Sequence, residues 1–95
     1  MGKVIWSPAA LEDVDSIAEY IARDSTDQSS LFVIRLIGAT DRLQDFPNSG
    51  RIIPEIGNPG CREIIYGSYR IMYRVYEDAV WITGIVHGAR DWHPK

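Results

Sequence analysis

Apolar and polar positions follow different repeats in different parts of the chain, and each repeat predicts an element. Lys3 to Trp6 (KVIW) is a short β-favouring run that stops at Ser7-Pro8, a helix N-cap followed by a proline suited to the first helical position. From Pro8 to about Arg23, Leu11, Val14, Ile17, Ala18, Ile21 and Ala22 return at helical intervals. Glu12, Asp13, Asp15 and Glu19 fill the other side, which predicts one amphipathic helix. Asp24 to Asp27 interrupts the pattern and offers caps. Phe32, Leu36, Ala39, Leu43 and Phe46 then predict a second helix that ends before Pro47. Asn48-Ser49-Gly50 reads as a turn, and Pro54, Gly57, Asn58 and Pro59 make the stretch to Gly60 a structured loop with little regular pairing. Three β-rich runs follow, Cys61 to Tyr66, Tyr69 to Tyr76 and Ala79 to His87, separated by Gly67-Ser68 and Glu77-Asp78.

Strand, two helices and three strands predict an α+β domain over residues 1–95: an N-terminal strand, a two-helix antiparallel hairpin and a three-stranded antiparallel meander. If both short connections are two-residue turns, opposed residues share a face and the register can be counted outward. The count puts Ile64, Ile71, Tyr73, Val75, Val80, Ile82 and Val86 against the helices. It puts Cys61, Glu63, Ile65, Arg70, Met72, Arg74, Trp81, Thr83, Ile85 and His87 on the other face, so Arg70 and His87 are expected to project together. Taken singly, these residues have plain structural roles: Glu63 as a cross-strand partner of the arginines, worth ~0.2–1 kcal/mol on a solvated face, and Cys61 as packing.

Composition narrows the picture. With 45% hydrophobic and 24% charged residues the chain should fold, and its single cysteine, Cys61, excludes an intramolecular disulfide and a Cys-rich zinc site. No clustered His, Cys and carboxylate spacing and no Gly-rich phosphate loop occur, so neither a metal nor an organic cofactor is expected. The opening MGKVIWSP has no signal-peptide core and no aliphatic run approaches the ~20 residues that span a bilayer, so a soluble cytoplasmic protein without membrane contact is expected. The formal charge of -3 is uneven: residues 1–50 hold four basic and eight acidic side chains, the remainder six basic and five acidic. An anionic partner would therefore meet the C-terminal half.

Six segments in order, WSPAALED (Trp6 to Asp13), FPNSGR (Phe46 to Arg51), Pro54-Glu55, REI (Arg62 to Ile64), YRIMYRV (Tyr69 to Val75) and IVHGAR (Ile85 to Arg90), resemble the ParE/RelE superfamily of toxins from bacterial type II toxin-antitoxin modules. The resemblance spans nearly the whole chain. It implies a growth-arresting toxin of a plasmid-stabilising module, neutralised by a cognate antitoxin, with operator DNA bound only through that antitoxin. It leaves two activities open. RelE-like members are ribosome-dependent mRNA endoribonucleases; on that reading Arg70 matches the arginine at the scissile phosphate, Glu55 a base and His87 an acid. ParE-like members inhibit DNA gyrase without that chemistry.

RNA cleavage through the 2'-hydroxyl needs a base, a cation for the developing charge and an acid for the leaving oxygen. The only lysines are Lys3 and Lys95, Gly88 stands where a tyrosine often follows the acid, and the overall charge is negative. These features and the HGARD ending favour the ParE-like branch, with Arg51, Arg74, Trp81 and Arg90 as candidate target contacts. A toxin fold that has lost toxicity is the third alternative.

Overall fold

The computed structural model describes residues 2–88 and 92–94. Its elements are β1 (Lys3–Trp6), α1 (Pro8–Ala22), α2 (Thr26–Thr40), a 3-10 turn (Asp41–Gln44), β2 (Arg51–Ile52), β3 (Cys61–Tyr66), β4 (Tyr69–Val75) and β5 (Ala79–His87). Both helices start where short polar side chains can satisfy their first amides. Ser7 Oγ accepts from the Ala10 amide and Ser25 Oγ from the Gln28 amide, each at 3.1 Å, and Pro8 occupies the first turn of α1. The helices are joined by a buried hydroxyl: Ser29 Oγ donates to the Ala18 carbonyl at 2.7 Å.

One five-stranded sheet runs in the order β1-β5-β4-β3-β2. The expected meander β3-β4-β5 is present, with β1 added in parallel to β5 and a two-residue β2 added antiparallel to β3. The loop reading of residues 50–60 therefore missed one short edge strand. The second helix is also shorter than its apolar spacing suggested. It tightens after Thr40, whose hydroxyl donates back to the Ile37 carbonyl, and Phe46 lies 66% exposed beyond it.

The helices cover one face. Ala10, Val14 and Leu36 interlock with Ile64, Ile71, Tyr73, Val80, Ile82 and Ile85 in the main core, and Phe32 stacks edge-on against Tyr69. A second, smaller cluster of Ile53, Cys61 and Met72, flanked by Val86 and Trp92, closes the far face. That face was expected to be largely solvated; instead the 53–60 loop and Trp92 cover its centre. Among the described residues no helix is long and apolar enough to cross a membrane.

The register begins as counted. Tyr66 opposes Tyr69 across Gly67-Ser68, with Gly67 at a positive φ of 56°, and Val75 opposes Val80. It then slips: Tyr73 faces Ile82 but Met72 faces Gly84, so Thr83 is an extra residue in β5, a β-bulge. An added residue reverses every later side chain. Ile85 consequently enters the main core, Val86 joins the far cluster, and His87 opposes Tyr69, edge-on to its ring at 5.3 Å. The expectation that Ile85 and His87 share the face of Arg70 is thus corrected, as is the placing of Val86 against the helices. The bulge falls where β1 ends and the outer edge of β5 loses its partner. Asp13 of α1 reaches that edge and its Oδ2 accepts from the Ile85 amide at 2.9 Å.

Gly50 is held where no side chain fits. Tyr73 donates from its hydroxyl to the Pro47 carbonyl at 2.8 Å and accepts from the Gly50 amide at 2.9 Å, and burial pushes its phenol up from the ordinary value. A Cβ on Gly50 would stand 2.5 Å from the Glu63 carbonyl oxygen, a rigid strand atom, whereas one on Gly38 meets nothing within 4 Å. Gly50→Ala should therefore cost about 1–3 kcal/mol, and Gly38→Ala in α2 should instead stabilise by roughly 0.5–1 kcal/mol, both measured by urea denaturation.

Candidate functional site

Beneath the 53–60 loop, the far face of the sheet holds a row of charges. Arg70 on β4 is 7% exposed, and Glu63 on β3, one pairing step away across Met72, is 1% exposed. Burial of two ions is tolerated only when each is matched and fully hydrogen-bonded. Arg70 Nε donates to Glu63 Oε1 at 2.7 Å, while its two terminal nitrogens donate to Glu55 Oε2 and Oε1, both at 2.7 Å, in a bidentate fork. The other oxygen of Glu63 accepts from Arg51 Nε of β2. Trp92 covers the assembly, with the Arg70 guanidinium carbon 5.7 Å from its ring centroid. Among the described residues every buried side-chain nitrogen and oxygen has a partner.

The electrostatics follow from this wiring. The Arg70 fork, with Arg51 more distant, holds the Glu55 carboxyl at about 2, well below its ordinary value. Arg70 in turn is driven above its ordinary value by the hydrogen bonds it donates to Glu55 and then by Glu63, against the opposing effect of burial. Glu55 is thus a very weak base, and three of the five N–H donors of Arg70, one on each nitrogen, are committed to carboxylates.

His87 stands across the sheet from this cluster. Arg70 opposes Val86 on β5, so the imidazole, one residue on, belongs to the helix side. Both residues still border a shallow open groove of about 260 Å³ at the Gly67-Ser68 end of the hairpin, together with Ile65, Tyr69 and Gly88. A second groove of similar volume passes between α1 and β5, where Asp13, Tyr20 and His87 line it. The three side chains named as base, clamp and acid are therefore split: Glu55 and Arg70 are brought together, and His87 is not joined to them.

Of the target-contact candidates, Arg74 and Trp81 are exposed and directly opposed on β4 and β5, and Arg51 is exposed but tied to Glu63. Arg90 lies outside the described residues. The sequence had marked Glu63 only as a surface partner; its place as the single carboxylate of β3, between Arg62 and the apolar Ile64-Ile65-Tyr66, was the available sign of a buried ion. Among the described residues no group of three or more His, Cys, Asp or Glu is placed to hold a metal ion.

Truncation should expose the difference between a buried clamp and a solvated pair. Arg70→Ala leaves the buried Glu63 with Arg51 alone and unpairs Glu55, and should cost about 3–5 kcal/mol, read by chemical denaturation. Because the folded carboxyl of Glu55 is depressed, its contribution is present above the ordinary value of 4.5 and is lost as pH falls through about 2. Glu55→Gln should flatten the melting-temperature profile between pH 5 and 2 relative to the native chain.

Comparison with known proteins agrees with this architecture. The family model described as ParE toxin of type II toxin-antitoxin system, parDE, matches residues 4–92. The protein Y4kP of Sinorhizobium fredii is 31% identical over 96 residues, covering 95% of this chain and 92% of that protein. Toxin RelE2 of Caulobacter vibrioides is 33% identical over 91 residues, covering 95% and 99%. Among solved structures, the chromosomal ParDE toxin-antitoxin system of P. aeruginosa superposes with a TM-score of 0.77 over 92% of this chain and 96% of that one; at 22% identity this is a likeness of fold. The strand, helical hairpin and antiparallel sheet, together with the match along nearly the full length, make this chain a member of the ParE toxin family of type II toxin-antitoxin systems.

Proposed function

We propose that this toxin arrests growth by binding and inhibiting DNA gyrase, without bond-making chemistry of its own, and that a cognate antitoxin neutralises it in the cytoplasm as part of a plasmid-stabilising module. The observation that carries the reading is the commitment of Arg70 to Glu55 and Glu63, with His87 on the opposite face. Cleavage of RNA asks for a free cation at the phosphate and a base and acid on either side of it. A guanidinium already forked onto a carboxylate offers no ready phosphate site, and a carboxyl held near 2 accepts protons poorly at neutral pH.

Support for an antitoxin partner comes from the family and from the ParDE assembly of the similar P. aeruginosa protein. Arg74 and Trp81, exposed side by side on the rigid sheet, are the proposed target contacts, with Arg51 at the margin. Arginine and tryptophan are the side chains from which interface hot spots are most often built.

The groove that Arg70 and His87 both border is the feature a ribosome-dependent ribonuclease would use, and it gives the competing reading a definite consequence. Purified toxin should inhibit supercoiling by gyrase or stabilise its cleaved DNA, and Arg74→Glu or Trp81→Ala should raise the toxin needed for half inhibition about tenfold. Transcripts should stay intact during induced growth arrest. No inhibition at excess toxin, with mRNA cut only during translation, would transfer the function to RNA cleavage. Unimpaired growth on expression without antitoxin would mean that toxicity has been lost.

A further inference from the structure

The part of the sheet's far face left open by the loop and Trp92 has a distinct make-up. Tyr76, one residue past the end of β4, lines up with Ala79 of β5 and Lys3 of β1 through the bond from its amide to the Ala79 carbonyl, and Arg74, Trp81 and Ile5 form the next row across β4, β5 and β1. Two aromatics and two cations therefore alternate over six positions. Tyr76 is 49% and Trp81 37% exposed, and neither belongs to either core cluster. Arg74 lies over the Tyr76 ring at 5.7 Å, while neither it nor Lys3 enters an ion pair among the described residues.

We propose that this layer is a stacking platform for single-stranded nucleic acid. Aromatic rings on a flat sheet take unpaired bases on their faces whatever the sequence, and flanking cations take the phosphates. Tyr76 and Trp81 are diagonal neighbours on paired strands, so about 7–8 Å separates their positions. That is well beyond the ~3.4 Å rise between bases along a duplex strand, and it suits bases drawn apart in a single strand.

The acidic face of α1 does not oppose this. Glu12, Asp15 and Glu19 are exposed on α1, behind the sheet and a helix about 10–12 Å across, beyond the ~10 Å screening length at 0.1 M salt. Glu77 and Asp78 in the adjoining turn bound the layer. These six residues present less area than the roughly 800 Å² that a folded partner covers on each side, so a contact with gyrase would extend past this layer, whereas a single strand fits within it. The inference shares a face with the gyrase reading but does not rest on it, since it concerns the toxin alone.

The test is fluorescence anisotropy of a short labelled oligothymidylate titrated with the purified full chain, first at low salt and then with salt added. Binding should weaken as salt rises and should exceed that of a duplex of equal length. Trp81→Ala and Arg74→Glu should each reduce affinity about tenfold or more, Trp81→Phe should retain most of it, and Arg23→Glu beside the helices should leave it unchanged. Melting curves matching the native protein establish that the variants are folded. Absence of binding at low salt, or equal binding by the native chain and both sheet-face variants, would overturn the proposal. Displacement of the oligonucleotide by a polyglutamate peptide at lower concentration would also overturn it, assigning the layer to an acidic protein segment. Gyrase takes no part in this assay, so its outcome is separable from that of the supercoiling assay.

Discussion

A buried guanidinium shared by two carboxylates fixes the far side of this molecule. Arg70 projects from the centre of the sheet, where an ion is costly unless its charge and hydrogen bonds are met. Glu63 meets it from the neighbouring strand and Glu55 from the loop above, so one side chain joins β3, β4 and the 53–60 segment. Glu63 extends the chain of contacts to Arg51 of β2, and Trp92 lies over the top. A solvated pair would contribute under about 1 kcal/mol; here the protection from water makes each partner depend on the other.

The clamp also decides what the surface can do. On the proposed reading, with Arg70 paired and the basicity of Glu55 suppressed, the sheet centre serves the fold, and Arg74 and Trp81, exposed toward β1 and the second hairpin turn, meet the target. The bulge at Thr83 reinforces the division by sending His87 to the helix side. A toxin that works by occupying its target needs a rigid, exposed surface more than it needs proton transfer. The open half of the sheet supplies one, set by backbone pairing on both sides of β5.

Much of this could be read from the residues. Period-three and period-four apolar spacing gave α1, Ser7-Pro8 gave its start, and Gly67-Ser68 gave the hairpin that pairs Ile65 with Arg70. What escaped depends on distant contacts. Gly84 beside Thr83, an isolated glycine inside a strand pattern, was the one local sign of a bulge; its seat is fixed by the end of β1 at Trp6 and by Asp13, 72 positions before the amide it caps. One unpaired residue was enough to reverse Ile85, Val86 and His87 and to separate the histidine from the arginine. Similarly, the burial of Arg70 and Glu63 follows from the loop and from Trp92, whose seats on the sheet no strand periodicity reveals. The apolar spacing ran through Leu43 correctly, since that side chain is fully buried, but the chain leaves helical geometry before Phe46 can follow.

On this account Arg70 serves the fold by neutralising buried carboxylate. Replacing both ions of the inner pair by apolar residues of similar size removes the charge without stranding either partner, a change that buried pairs often tolerate. Glu55 and Arg51, which lose their partners, are both partly exposed and can turn to water. The decisive measurement is growth arrest after induction of the double variant Arg70→Met, Glu63→Leu, with soluble protein and its melting curve followed alongside. Arrest comparable to that of the native toxin is the result expected here. A double variant that folds and accumulates normally but leaves growth untouched would show that the guanidinium acts on the target itself.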